Sequence, residues 1–370
     1  MIVVLAQAFP PRPGGIQNLL AGTAEYIAEA GHDVTVLADG DQSAQHWDRE
    51  TKTPYDVERF GGIKFLRRRR KLKRLNQIVS ERPVEAIFAD SWKSLELLSS
   101  YNCPIVVWAH GNEFSQTSKK HKRISNALLK ADHIMFISLE TKSRAAAFLS
   151  EKTSHSIVHP PIHKSSPAST QDTQKAAAVW QDSYPKLISL ARLVELKGID
   201  RAIEAMPEIL KQYPKAKLII AGIGEDQGRL ENLVKDLKIE PSVSFIGWIE
   251  GGFKTALLDE ADLFLQPGRQ IAEEREGYGI SYIEAALHGL PSISGNAGGA
   301  PEAIIDGKTG LVVDASTSAH VGQAVLAILN DKSKHNAMRK EAREHGQTHL
   351  WENRIVDVLR AAGLEPKDNY

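Results

Sequence analysis

One pattern restricts this chain more than any other: a short, unbroken apolar run, then a turn rich in glycine or proline, then an amphipathic stretch. Residues 2–6 are apolar throughout, as expected of a strand buried on both faces in a parallel sheet. Pro10, Pro11 and Pro13 follow, and a proline cluster continues neither strand nor helix. Gly14 and Gly15 then precede an amphipathic helix over roughly residues 16–30, ended by Gly31, and a second apolar run occupies residues 34–38. Strand, glycine turn, helix and strand make a Rossmann-type βαβ unit. The turn lacks a complete Gly-x-Gly-x-x-Gly fingerprint, which argues against a dinucleotide site. Comparable runs predict strands at 84–89, 104–108, 133–137, 158–162, 186–190, 217–221, 243–246, 262–265, 290–294 and 310–313. Helices are expected between them and at 319–329, 332–347 and 351–362, while the polar stretch 43–60 receives no assignment.

A chain of 370 residues is long for one core, so two domains are expected. The boundaries fall at residues 1–165 and 182–349, and the Ser-, Ala-, Thr- and Gln-rich segment 164–181 reads as the linker. Hydrophobic content of 42% and charged content of 25% are those of a soluble globular protein. A formal net charge of zero leaves no global field to attract nucleic acid. Cys103 is the only cysteine, which excludes an internal disulfide framework or thiolate metal cluster and fits a reducing cytoplasm. The first eight residues are too short to span a bilayer and have no basic region before them.

The chemistry concentrates between Glu276 and Glu302. Gly277 and Gly279 keep side chains out of a turn, so backbone N–H groups there can approach a ligand. From about Tyr278 an apolar pattern (Ile280, Ile283, Ala286, Leu287) runs at helical spacing and stops near Gly289. A glycine turn opening a helix is an anion site, because the first amides are unpaired and the dipole is positive there. Glu276 precedes this helix and Glu284 lies about two turns into it. A glycosidase would hold two carboxylates roughly 5–9.5 Å apart, whereas eight residues of continuous helix would separate these by about 12 Å. The glycines leave that separation open. The alternative is a nucleotide-sugar site, with one carboxylate at the sugar and the other at the ribose. Arg192 and Lys197, just beyond the 186–190 strand, suit a diphosphate and the charge growing on a leaving nucleotide. His110 follows the 104–108 strand directly, and strand C-termini are where open α/β sheets bind ligands.

Seven basic residues crowd positions 66–75: Arg67, Arg68, Arg69, Arg70, Lys71, Lys73 and Arg74. With Leu72, Leu75 and Val79 on one stripe, they predict a basic amphipathic helix. Such a helix can lie on an anionic membrane, each cation contributing about 1 kcal/mol near it. It can equally be the solvated face of a domain helix. No interleaved aromatics support a nucleic-acid arm.

The Glu-x7-Glu spacing of Glu276 and Glu284, with the downstream Gly-Gly-Ala-Pro-Glu302, resembles the retaining glycosyltransferases of family 4. The start of the chain and the segment Ser-Leu-Ala-Arg192-Leu-Val-Glu-Leu-Lys197-Gly198 resemble the same family, so the likeness covers nearly the whole chain. The opening Phe-Pro-Pro-Arg-Pro-Gly-Gly-Ile-Gln is most similar to the phosphatidylinositol mannosyltransferase branch. The resemblance implies a GT-B fold, α/β with two Rossmann-like domains facing a central cleft, the first completed by a C-terminal helix within 350–370. It implies transfer of a hexose, mannose favoured, from a nucleotide-diphosphate sugar to a lipid-linked or glycolipid hydroxyl, with GDP or UDP released and no metal or other cofactor required. Arg192 and Lys197 would hold the diphosphate, Glu284 the ribose and Glu276 the sugar. Gly14, Gly15, Gly277, Tyr278, Gly279 and Ile280 would offer backbone to the donor. Gly247 would lie beside the base and His110 beside the transferred sugar, with Asn112 and Glu113 toward the acceptor. A family that glycosylates lipids favours the membrane reading of the basic run, and a peripheral place on the inner face of the cell membrane. A UDP-sugar transferase with a soluble or lipopolysaccharide-core acceptor, a nucleotide-sugar epimerase and a non-catalytic nucleotide- or lipid-binding protein share this architecture.

Overall fold

The computed structural model describes residues 1–114, 120–151 and 153–367. Its first part runs β1 (Ile2–Ala6), α1 (Gly15–Glu29), β2 (Val34–Asp39), α2 (Gln42–Glu50), β3 (Asp56–Phe60), α3 (Lys64–Glu81), β4 (Ala86–Ala89), α4 (Trp92–Leu95), β5 (Ile105–Ala109), α5 (His121–Leu128), β6 (His133–Phe136), α6 (Leu139–Ala145) and β7 (Ser154–Ile157). Then follow α7 (Thr170–Trp180), β8 (Lys186–Leu190), α8 (Ile199–Gln212), β9 (Lys217–Ala221), α9 (Gln227–Asp236), β10 (Val243–Gly247), α10 (Gly251–Glu260), β11 (Leu263–Gln266), α11 (Ile280–Leu287), β12 (Ser292–Gly295) and β13 (Gly310–Val313). Three helices close the chain: α12 (Ser318–Leu329), α13 (Lys332–Thr348) and α14 (Trp351–Arg360). Two compact units result, 1–163 with 350–370, and 164–349.

Each unit is a parallel sheet between helices. The first has seven strands in the order β3-β2-β1-β4-β5-β6-β7, the second six in the order β10-β9-β8-β11-β12-β13. Both orders reverse beside their first strand, between β1 and β4 and between β8 and β11. That reversal opens a crevice at the strand C-termini where such sheets take ligands. The continuous apolar runs have the reason the sequence suggests: every residue of β1, β4, β5 and β11 is buried, as helices on both faces demand.

α14 belongs to the first unit. Trp351 is fully buried and stacks on Tyr26 of α1, with ring centroids 5.4 Å apart and planes 13° from parallel. Its backbone N–H donates to the Ile162 carbonyl at 3.1 Å. Residues 368–370 of the expected closing segment lie outside the described residues.

The structure corrects several expectations. Segment 164–181 is not an open linker, since α7 fills most of it. Ser169 and Asp172 close a reciprocal capping box at its start, and Trp180 is buried with its Nε1 donating to the Leu257 carbonyl at 3.3 Å. A composition that reads as linker is here an alanine-containing helix with a buried anchor. The unassigned stretch 43–60 holds most of α2 and all of β3, the latter an edge strand only partly buried, so its pattern is weak. The last strand of the first unit is β7, earlier than the expected 158–162. Pro160 and Pro161 supply no amide donors there.

Candidate functional site

In the second unit the turn after β8 and the turn after β11 meet at the switch point. Lys197 Nζ donates to Glu276 Oε2 in a direct ion pair. Gln266, the last residue of β11 and 1% exposed, places its amide Nε2 3.5 Å from the same oxygen. The Gln266 Oε1 accepts from Ser281 Oγ at 3.0 Å, and the Gln266 carbonyl accepts from the buried Tyr282 hydroxyl. Burial, then the nearby Glu276 charge, pushes the Tyr282 phenol well above its ordinary value, so it stays a neutral donor.

The main chain of Glu276 is also held. Its carbonyl accepts from Gly299 N–H at 2.9 Å, and a Cβ on Gly298 would sit 2.4 Å from that carbonyl oxygen. The Gly-Gly-Ala-Pro-Glu sequence therefore serves the Glu276 turn through backbone contact. Gly279 caps α11 at φ 94°, and no side chain caps this end, which leaves the helix N-terminus suited to an anion. Tyr278 is buried and its hydroxyl lies 2.8 Å from His349 Nε2.

The turn carrying Lys197 has its own support. The Arg269 N–H donates to the Leu196 carbonyl at 3.0 Å, and its guanidinium meets Asp200 at 2.7 and 2.8 Å. Burial would raise the Asp200 pKa; hydrogen bonding and charge from Arg269, then Arg229 and Arg201, reverse this and hold it below the ordinary value. Arg192 is exposed beside this turn. Glu284 does not join Glu276. It pairs with Lys254 of α10 at 2.7 Å, so the two carboxylates have different partners. Gly247 ends β10, and its carbonyl accepts from Gly222 N–H at 2.7 Å. Trp248 beyond it is 54% exposed, with Nε1 donating to Glu250 at 3.1 Å. Ile280 opens α11 and is half-buried.

In the first unit, Gly14 caps α1 without a side-chain bond and Gly15 opens the helix. The loops at the C-termini of β1, β4 and β5 gather on Asp90, which is 3% exposed. Its Oδ2 accepts from the Gln7 and Ala8 amides at 2.6 and 3.3 Å, and its Oδ1 from Ser91 and Ser94 at 3.2 and 2.7 Å. The Asp90 carbonyl lies 2.8 Å from His110 Nε2. A carbonyl only accepts, so Nε2 carries the proton and Nδ1 of a neutral ring is an acceptor. Glu113 accepts the His110 amide at 2.8 Å and so folds the turn, while Asn112 accepts from Arg144 at 3.2 Å.

The basic run forms much of α3, and it divides. Arg67 and Lys71 pair with Asp39 at 2.8 and 2.6 Å, Arg68 with Glu96 at 2.8 Å and Arg74 with Glu58 at 2.7 Å. Lys71 is buried and also donates to the Ala6 carbonyl at 2.8 Å. Burial pulls its pKa below the ordinary lysine value although Asp39 opposes the shift. Arg69, Arg70 and Lys73 are exposed.

Gln266, Asp90, Asp200 and Arg269 are supporting residues that sequence reasoning missed. The available signal was position: Gln266 ends an apolar strand and Asp90 directly follows one, as His110 does, where a buried polar group has access to a ligand site.

Residues 13–165 match the model of Glycosyltransferase Family 4, and residues 170–345 that of Glycosyl transferases group 1. The chain is 30% identical over 355 residues to a GDP-mannose-dependent alpha-(1-6)-phosphatidylinositol monomannoside mannosyltransferase of Mycolicibacterium smegmatis, covering 91% of each chain. It is 29% identical over 378 residues to the GDP-mannose-dependent monoacylated alpha-(1-6)-phosphatidylinositol monomannoside mannosyltransferase of Corynebacterium glutamicum, covering 97% of each. Its fold matches that of Anabaena HepE in complex with UDP at a TM-score of 0.81 and 18% identity, over 98% of this chain and 99% of that one. The fold is GT-B, and the chain belongs to the family 4 glycosyltransferases.

Proposed function

We propose that this glycosyltransferase moves a mannosyl unit from GDP-mannose to a hydroxyl of a lipid-linked acceptor, with retention of anomeric configuration and without a metal. The observation that carries the reading is the convergence of Lys197 and Glu276 at the β8/β11 switch point, in a chain 30% identical to a GDP-mannose-dependent enzyme. Arg192 and Lys197 neutralise the diphosphate and stabilise the charge that develops as the glycosidic bond breaks. They supply the positive charge that a metal would otherwise bring. On leaving, the diphosphate takes the proton of the acceptor hydroxyl on the same face, and the new bond forms on that face.

Glu276 receives hydroxyls of the hexose, and Glu284, released from Lys254, those of the ribose. The amide ends of α1 at Gly14 and Gly15 and of α11 at Gly277 to Ile280 face donor oxygens. Gly247 lies beside the base and His110 beside the sugar. Asn112 and Glu113 shape the turn on the acceptor side.

The start of α3 suits an anionic membrane. Ile63, Phe65 and Leu66 are 74%, 56% and 52% exposed, beside exposed Lys64, Arg69, Arg70 and Lys73. Arg68, then burial, then Lys93, Lys120 and Arg67 pull the Lys64 pKa below its ordinary value, the mark of crowded positive charge. Among the described residues no helix is long and apolar enough to cross a membrane, so α3 would hold the enzyme peripherally, on the cytoplasmic face.

Calorimetry with GDP, UDP and ADP tests the donor. GDP should bind best, and Lys197→Ala should lower kcat by about 10² to 10³ while EDTA leaves transfer unchanged. A UDP preference would overturn the mannosyl assignment, and no nucleotide binding at millimolar concentration would overturn the site.

A further inference from the structure

Glu276 and Lys197 present a difficulty for any donor that needs both. In this structure they neutralise one another. A diphosphate that draws Lys197 away removes the ion-pair partner of Glu276 when its carboxylate must be aimed at a sugar hydroxyl. Another group has to retain that carboxylate.

We propose that Gln266 is this positioning residue, holding Glu276 Oε2 so that Oε1 is presented to the hydroxyls of the transferred hexose. The inference rests on the donor reading above and deepens it. Gln266 is 1% exposed, and its backbone is fixed by β11 and by the Tyr282 hydroxyl. Its amide is oriented by chemistry. With Oε1 accepting from Ser281 at 3.0 Å, Nε2 points at Glu276 Oε2, 3.5 Å away. The flipped amide would set an oxygen against a carboxylate, so the charge on Glu276 selects this orientation. At 3.5 Å the contact is long. Departure of Lys197 to the diphosphate lets it shorten. Both donors use Oε2, which leaves Oε1 for the ligand.

Calorimetry with GDP and with GDP-mannose, together with initial rates, tests this on the wild type, Gln266→Met, Gln266→Glu, Glu276→Gln and the Gln266→Met/Glu276→Gln double variant. GDP lacks the sugar, so its Kd should change less than about twofold in Gln266→Met. The extra affinity for GDP-mannose should disappear, and kcat should fall about ten- to hundredfold, the range for one hydrogen bond to a charged group. In the Glu276→Gln background the Gln266 change should add less than about twofold, because the two act as one unit. Gln266→Glu keeps an acceptor for Ser281 but turns a like charge toward Glu276. It decides the matter if the methionine variant does not fold, and should retain GDP binding while losing transfer. Equal weakening of GDP and GDP-mannose, or full additivity with Glu276→Gln, overturns the role of Gln266 and leaves the donor reading standing. If the unaltered enzyme binds no GDP, the donor reading fails and this proposal falls with it.

Discussion

The two sheets share a strand order but hold their strand-end loops by different means. In the first unit a side chain does it: the Asp90 carboxylate collects amides and hydroxyls from the loops after β1 and β4. In the second, backbone packs on backbone. A Cβ on Gly222 would lie 1.8 Å from the Ala191 carbonyl oxygen, and one on Gly198 1.9 Å from that of Pro267. Bonds to a carboxylate can be remade in several geometries, whereas backbone in direct contact cannot shift without moving its neighbour. The second unit thus has a close-packed backbone floor, braced at the Lys197 turn by the Asp200–Arg269 pair, from which Arg192, Lys197 and Glu276 extend as side chains. The first has loops that can adapt. On the donor and acceptor roles proposed above, a fixed nucleotide sugar would suit the former, and a larger acceptor that must be accommodated the latter.

The strongest test of this contrast is a single methyl group. Gly222→Ala must resolve the 1.8 Å overlap at a φ of +143°, which strains the backbone as well as the packing. A loss of about 3 to 5 kcal/mol is expected in urea unfolding. Gly247→Ala is the control: its φ is +70°, but nothing lies within 4 Å of the added carbon, so only the conformational cost of about 1–2 kcal/mol applies. Equal costs at the two positions would show that backbone contact does not hold this floor.

The corresponding change in the first unit is Asp90→Asn. The asparagine keeps one acceptor oxygen but turns an NH₂ toward donors. A cost of about 2–3 kcal/mol in unfolding free energy is expected, with GDP affinity unchanged. Loss of GDP binding would break the division of labour between the two kinds of loop.

That division also explains what could be read from the sequence. The strands buried on both faces were legible because burial imposes nearly unbroken apolar runs, as in β1, β5, β9 and β11. The glycine turn at Glu276 was legible because two glycines beside a carboxylate run directly into an apolar pattern at helical spacing. The partners of these residues were not. Glu276 meets Lys197 across 79 positions of chain, and Glu284 meets Lys254 rather than Glu276. Gln266 reads as the frayed end of an apolar run until its amide is seen to point at Glu276. β3 and β7 are edge strands with polar faces, so their period was weak. α7 was hidden by a composition that linkers share with exposed helices.

A smaller effect depends on pH and concerns Asp200 beneath the Lys197 turn. Its folded pKa is lowered despite burial, chiefly by Arg269. Between the folded value and the unfolded value of about 3.9, the unfolded chain binds more protons. The stabilisation is therefore complete above about pH 4 and is lost as pH falls through the folded value. Asp200→Asn should be less stable than wild type at pH 7, and the gap should narrow only below about pH 4. A gap that closed between pH 7 and 5 would mean that another group holds this turn.

The smallest change in folding stability should come from the outer face of α3, and it extends the comparison to the membrane. Arg67, Arg68, Lys71 and Arg74 are committed to carboxylates of their own unit, as the loops at Asp90 are committed to a carboxylate. Arg69, Arg70 and Lys73 are exposed. Replacing these three with glutamine should alter unfolding free energy by no more than about 0.5 kcal/mol. If α3 meets an anionic surface, the same variant should bind phosphatidylglycerol-containing vesicles roughly a hundredfold more weakly, at about 1 kcal/mol per cation. Lys71→Met should do the reverse, leaving Asp39 without one of its partners and costing stability while vesicle binding holds. If the outer variant binds vesicles as well as wild type, all of α3 belongs with the side-chain-held architecture of the first unit, and membrane attachment must be sought in the exposed apolar residues Ile63, Phe65 and Leu66 alone.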